Sequence, residues 1–301
     1  MGSVIEKVAF MPPDPAFTRS TLGAGKGKAV QYVTNKRGNK VSFIHFQHKG
    51  ADDSSGVEGG NGKGGYRGAA NSKQRTPYTM LFCHGNAEDL GRSYQGFSQM
   101  HRESGVDIVA FDYSGYGLSE GKSSEKAAYA DADAVFQHMQ QEMGIPRNRI
   151  VIVGRSLGSG IATELAANVR GAAGLVLLSP LASAVQVLGK AAAFALYFND
   201  IFVNIRKIEK VVDYPVLIVH GKLDDVVPFS HGQELFDLVS KVNPRTSHLW
   251  LETCGHNDIE SLEPHQFYAT LRKFLAELSD DTPRPPALAP SSKVESSSSG
   301  A

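Results

Sequence analysis

Gly154-Arg155-Ser156-Leu157-Gly158 is a serine framed by glycines at the spacing of a nucleophile elbow. It follows the apolar run Ile150 to Val153 and precedes helical spacing at Leu157, Ile161 and Leu165. On such a strand-to-helix turn the hydroxyl is pushed out at the carboxyl edge of a sheet, and the flanking glycines relieve the crowding. The chemistry this permits is nucleophilic attack on an acyl carbon. A serine hydroxyl is a poor nucleophile at neutral pH and needs a neighbouring base, normally a histidine held in orientation by a carboxylate.

Both partners occur in the chain order Ser, acid, His that such sites follow when each group stands at the end of a later strand. After Pro215 to Gly221 comes Lys222-Leu223-Asp224-Asp225, and after His248 to Thr253 comes Gly255-His256-Asn257-Asp258. His256, in a Gly-flanked loop past an apolar strand, is the expected base. His248 is expected at the opposite end of that strand, His265 on the last helix, and His231 at the opening of a helix after Ser230; His84 is held in reserve, because its loop has a different use. Adjacent aspartates point in different directions, so one acid is expected, Asp224, with Asp225 solvated or capping. The oxyanion needs backbone donors. The Leu157 amide is one, and His84-Gly85-Asn86-Ala87, after an early strand, supplies the other from Asn86 or Ala87; the sequence leaves that choice open.

A second copy of the serine pattern, Gly117-Leu118-Ser119-Glu120-Gly121, lacks the context. Ser114, Gly115 and Tyr116 separate it from the preceding strand, and no helix starts at its second glycine. Ser119 is expected to be a loop serine, with Ser123 and Ser124 as N-cap candidates for the next helix.

The elements that must carry these groups alternate along the chain. Short apolar runs at Val41–Gln47, Met80–His84, Ile108–Tyr113, Ile150–Val153, Leu175–Ser179, Val216–His220 and His248–Thr253 are separated by helical stretches, among them Phe267, Leu271, Phe274, Leu275 and Leu278 on one stripe. Several of these runs are apolar without alternation, as strands covered on both faces are. The expectation is one α/β domain over residues 1–279, a mostly parallel central sheet with helices on both faces. Residues 49–77, dense in Gly, Ser, Asn and Asp, and the Pro- and Ser-rich tail 280–301 offer little to bury and are expected to be disordered. The apolar stretch within 181–212 is longer than a plain connection. It reads as a small cap with an apolar channel, or as an amphipathic helix pair that finishes the core.

With 31 basic and 31 acidic residues there is no global field to attract nucleic acid, and no nucleic-acid partner is expected. No His-Glu-x-x-His or phosphate-loop pattern occurs, so neither metal nor cofactor is expected. Cys83 and Cys254 lie inside or just after apolar strand-like runs and are expected to be buried thiols in a reducing compartment. No run reaches the about 18 apolar residues of a spanning helix, and no signal-peptide layout is present, which predicts a cytoplasmic protein. Gly2 stands where a myristoyl chain could attach, but Glu6 replaces the favoured Ser or Thr.

Taken together, Cys83 to Gly91 (CHGNAEDLG), Asp112 to Gly117 (DYSGYG), the Ser156 elbow, Ser179-Pro180-Leu181, Val226 to Gly232 (VVPFSHG) and Gly255 to Glu260 (GHNDIE) resemble the α/β-hydrolase domain-containing protein 17 family, from about Val4 to Leu278 with the 49–77 insertion interrupting the match. The resemblance implies the α/β-hydrolase fold and a serine hydrolase that removes palmitate from cysteines of membrane-associated proteins. S-acylated proteins would be its substrates, Ser156, Asp224 and His256 its matching triad, and peripheral membranes a second location. Animal members carry an acylated N-terminal cysteine cluster, whereas Met1 to Phe17 contains no cysteine. Arg155 stands where those members have Gln, and a structural salt bridge is its expected role. Other readings are an esterase, lipase or peptidase on the same scaffold and, less favoured, a non-catalytic ligand-binding protein.

Overall fold

A computed structural model describes residue 6 and residues 9–15, 30–48, 76–187 and 200–278. Residues 49–75, 188–199 and the tail from 279 lie outside the described residues, and with them nearly all of the expected insertion, the middle of the expected cap and the expected tail. Eight strands, β1 (Gln31–Thr34), β2 (Lys40–Phe46), β3 (Thr79–Cys83), β4 (Asp107–Phe111), β5 (Ile150–Arg155), β6 (Gly174–Leu178), β7 (Val216–Gly221) and β8 (Thr246–Leu251), form a single sheet in the order β1-β2-β4-β3-β5-β6-β7-β8. β1 and β2 are antiparallel to their neighbours; every pairing from β4 to β8 is parallel.

The core is two layers because strand side chains alternate between faces. Phe43, Leu81, Val109, Ile152, Leu177 and Ile218 point to one side. There they meet α2 (Glu125–Gln141), α3 (Leu157–Asn168) and α5 (Phe229–Ser240). Ile44, Met80, Ile108, Val153, Val176 and Val219 point to the other, against α1 (Tyr94–Ser104) and α7 (Pro264–Glu277). On α7 the stripe Phe267, Leu271, Phe274, Leu275 faces the sheet, as its spacing predicts. Two single-turn helices, α4 (Ala184–Val187) and α6 (Ile259–Leu262), complete the set among the described residues. Ser124 caps α2, its Oγ accepting the Ala127 N–H at 3.1 Å.

Strand boundaries differ from expectation by one or two residues, and β1 is an addition. β1 is four residues long, half-exposed and at the sheet edge, so it carries no apolar run to betray it. β8 begins at Thr246 rather than His248, because the outer residues of this edge strand are polar and exposed; His248 is its third residue, stacked on Trp250 with ring centres 4.6 Å apart. Both ends of the expected 181–212 segment are described, and they differ. Leu181, Ala184 and Val187 line a cavity beside Ser156, whereas Phe202, Ile208 and Val211 are buried in the core. Cys83 and Cys254 are buried free thiols.

Candidate active site

The parallel strands all deliver their carboxyl ends to one edge, where the loops after β3, β5, β7 and β8 converge. Ser156 occupies the turn between β5 and α3 at φ 51°, ψ −120°, a conformation an L-residue adopts only under constraint. Its N–H is held by the Leu178 carbonyl of β6 at 2.9 Å. The two glycines of the elbow are required by close approach. A Cβ at Gly158 would lie 2.2 Å from the Cys83 carbonyl oxygen, and one at Gly154 would lie 2.5 Å from the Ala162 methyl. α3 thus presses onto β3 and β5, and the chain must turn sharply at Ser156 to enter it.

The acid and histidine loops are stitched together by their backbones. The Lys222 N–H donates to Leu251 O at 2.8 Å and the Leu223 N–H to Cys254 O at 3.0 Å, so the turn after β7 runs beside the loop after β8. Asp258 reaches back to accept the Gly255 N–H at 2.7 Å, closing the histidine loop. These constraints bring His256 Nε2 to 2.9 Å from Ser156 Oγ and His256 Nδ1 to 2.7 Å from Asp224 Oδ2. A carboxylate only accepts, so the imidazole proton sits on Nδ1 and the Nε2 lone pair faces the serine hydroxyl. Ser156, His256 and Asp224, far apart in sequence, form one hydrogen-bonded chain.

Asp224 is buried and Asp225 beside it is exposed. Burial alone would raise the Asp224 pKa. Hydrogen bonds from His220, His256 and the Val227 amide outweigh it and hold the carboxyl well below the usual carboxylate range. The Val226 and Val227 N–H groups donate to Oδ1 at 3.0 and 2.7 Å. His220, the fifth residue of β7 and fully buried, stands with Nε2 at 3.1 Å from Oδ2; sequence reasoning missed it. Its signal is a histidine at the end of an apolar strand, four residues before the acid.

The remaining expected donors fall on the loop after β3. Tyr113 donates its O–H to the His84 carbonyl at 2.6 Å, and His84, stacked on Tyr113, bonds its own Nδ1 to Gly85 O at 2.8 Å. Asn86 Oδ1 accepts from the Tyr116 hydroxyl at 2.7 Å and from the Met11 and Ala87 N–H groups at 3.0 Å each. Of the two amides the sequence leaves open, that of Ala87 is therefore engaged, while the Asn86 N–H donates to no acceptor among the described residues. The Leu157 N–H, first in α3, is one of the orphan donors of a helix start. Arg155 ion-pairs with Glu260 on α6, both side chains about four-fifths buried, which ties the elbow strand to the histidine loop.

A cavity of about 420 Å³ opens on Ser156 and His256, lined by Leu157, Leu181, Ala184, Val187, Val226 and Val227. Ala9 and Met11 of the N-terminal segment close one side of it. A second cavity of about 580 Å³ lies across the His84 loop, with Arg92, Arg155, Glu260 and Tyr268 in its wall; it shares Asn86 to Glu88 and Asn257 with the first.

Sheet order, elbow and loop positions define an α/β hydrolase. Residues 74–206 match the family model described as serine aminopeptidase, S33. An esterase from Pyrococcus furiosus superposes with a TM-score of 0.64 at 16% identity, over 92% of this chain and 98% of the esterase. A serine hydrolase without lid from Xanthomonas campestris gives 0.56 at 15%, over 90% and 100%. The human α/β hydrolase domain-containing protein 17B is 35% identical over 92% of both chains, and the 17C protein of Xenopus laevis is 32% identical over 91% of this chain and 89% of its own. The chain belongs to the α/β hydrolase domain-containing protein 17 family.

Proposed function

We propose that this hydrolase is a serine S-acyl-protein thioesterase that removes long-chain acyl groups from protein cysteines, with Ser156 as nucleophile, His256 as general base and acid, and Asp224 as orienting carboxylate. The observation that carries the reading is the mostly apolar cavity opening on Ser156 and His256, whose lining by Leu157, Leu181, Ala184, Val187, Val226 and Val227 offers an acyl chain an apolar path. His256 Nε2 takes the Ser156 proton as Oγ attacks the thioester carbonyl. The Leu157 and Asn86 amides receive the oxyanion. Collapse of the tetrahedral intermediate breaks the carbon–sulfur bond, His256 returns the proton to the departing thiolate, and water then repeats the sequence on the acyl-serine. A thiol with pKa about 8.5 leaves far more readily than an amine, so the chemical demand on His256 is modest and selectivity falls to the acyl chain. Membership of the 17 family, which the sequence motifs already suggested, points the same way. Among the described residues no helix is long and apolar enough to cross a membrane.

Rates on matched palmitoyl and acetyl thioesters, and on the corresponding oxygen esters, test the reading. Long-chain thioesters are expected to be preferred, and Ala184→Trp, which fills the cavity, is expected to lower the long-chain rate at least tenfold while sparing acetyl substrates (about 1.4 kcal/mol per decade). A protein that favours acetyl esters and ignores Ala184→Trp is an esterase of another kind.

A further inference from the structure

We infer that His220 is a positioning residue for the acid–base pair, its Nε2–H completing a cage of four donors around Asp224 and thereby setting how strongly that carboxylate draws on His256. The inference rests on the triad reading above.

His220 Nε2 is 3.1 Å from Asp224 Oδ2 and 2.9 Å from the Val227 carbonyl oxygen. Both neighbours are acceptors, so the proton sits on Nε2 and is shared between them. Nδ1, buried, has no hydrogen-bond partner among the described residues. It faces Gly232 on α5, where a Cβ would come within 2.5 Å of it. Only one ring orientation therefore presents a donor to Asp224, and the missing side chain at position 232 makes room for it. A histidine recruited only to fill the core would leave its polar atoms to chance. Here one nitrogen is committed to the same carboxylate oxygen that His256 uses, at the cost of leaving the other unsatisfied.

The consequence is electrostatic as well as geometric. Oδ1 takes two amides and Oδ2 two imidazoles, which leaves Asp224 no free direction in which to rotate or to accept a further proton. Charge spread over four donors pulls less on any one of them. Without His220, more of the carboxylate charge acts on His256, its imidazolium is favoured, and the neutral form needed for attack is reached only at higher pH. The titratable groups facing His220 are Asp224 and His256 from the two loops and His231 from α5. His231 has its Nδ1 occupied by the Ala182 N–H at 3.1 Å, and burial holds its pKa down. Asp225, on the same turn, is exposed.

The test is the rate of fluorophosphonate inactivation of the full chain between pH 5 and 9, which needs no knowledge of the natural substrate. His220→Leu is expected to slow inactivation on the alkaline plateau at least tenfold and to move the acid limb upward by about half a pH unit or more. His220→Gln, whose amide nitrogen can occupy the Nε2 position, is expected to return the limb to its wild-type place. Gly232→Ala keeps the imidazole but crowds it off Asp224, so its limb should shift in the same direction as that of His220→Leu; it decides the matter should His220→Leu not fold. Acid limbs of folded His220→Leu and Gly232→Ala that coincide with wild type overturn the inference, as does a Gln variant that behaves like Leu. Equal labelling of wild type and Ser156→Ala sinks the hydrolase reading itself, and the positioning role with it.

Discussion

Two loops of this molecule spell Gly-x-Ser-x-Gly, and only one of them brings its serine hydroxyl to a histidine. At 154–158 the glycines are there because α3 packs onto β3 and β5 with no space for a Cβ, and the serine between them is left at φ 51° with its Oγ turned to His256. At 117–121 the glycines are crowded as well, by the Asp112 and Asn39 side chains, but there the backbone itself is also left-handed, φ 48° at Gly117 and 92° at Gly121. The serine between those is fully employed: its Oγ donates to the Asp112 carbonyl at 2.8 Å and accepts the Ser42 N–H at 2.9 Å. A pentapeptide pattern records which residues are small. It does not record whether the serine between them is strained toward a histidine or satisfied within a turn; that depends on the strand before and the helix after.

Removing each hydroxyl in turn separates the two loops most strongly. Ser156→Ala is expected to lower kcat by about a millionfold, the loss typical of a missing nucleophile, and to abolish fluorophosphonate labelling with little change in melting temperature. Ser119→Ala should be labelled at the wild-type rate but lose about 1–3 kcal/mol of stability, since the buried Ser42 and Asp112 are deprived of a partner for an amide and a carbonyl. Labelling of a Ser156→Ala protein at Ser119 would erase the distinction.

The paired carboxylates after β7 differ in burial. Asp224→Asn keeps the shape of the site, but an amide can offer His256 a donor where it needs an acceptor, which favours the wrong tautomer; a fall in kcat of about four orders of magnitude is expected. Asp225→Asn, at an exposed position, should stay within about threefold of wild type, the range of surface substitutions.

How much of this is legible in the sequence divides along physical lines. The meeting of Ser156, Asp224 and His256 is legible because each follows an apolar strand and their order along the chain is that of the strand ends. The alternation of strands and helices fixes the fold class for the same reason. His220 is not legible as a polar participant, since it sits inside the run Val216–Gly221 and is counted as one more buried strand residue. Nor is the place of Ala9 and Met11 beside the cavity, because nothing local in that segment says what it packs against. Side chains that act through long-range contact leave no periodicity behind. The choice between the Asn86 and Ala87 amides is likewise hidden, since it turns on where the Asn86 side chain goes, and that is decided by Tyr116 and Met11.

Glycine substitutions act differently in the two loops. Gly158→Ala would drive its methyl into the Cys83 and His84 carbonyls at 2.2 and 2.5 Å, shifting the loop that carries Asn86, and is expected to cost at least about a hundredfold in kcat, the scale of an ångström-sized misplacement. Gly121→Ala is strained by its left-handed φ and by the Asn39 side chain 2.5 Å away, and should lower the melting temperature while leaving kcat within about twofold.

The smallest effect, and the most discriminating, is the pH dependence of stability in the two regions. Asp112 accepts the Leu90 N–H at 2.8 Å and the Ser42 hydroxyl at 3.0 Å, yet burial outweighs these bonds and His84 nearby, and its pKa is raised; that of Asp224 is lowered by its denser cage. A lowered carboxyl pKa stabilises the fold above the unfolded value of about 3.9, and the contribution is lost as pH falls below it. A raised one does the reverse: its contribution grows as pH falls toward about 3.9 from above, where the folded protein already holds the proton and the unfolded chain does not. The melting-temperature difference between wild type and Asp112→Asn should therefore widen in favour of wild type on acidification toward pH 4. The difference between wild type and Asp224→Asn should stay level there and shrink only below it. Parallel curves for the two variants would mean that both carboxylates are solvated alike, and that the crowded donors around Asp224 do not set it apart from Asp112.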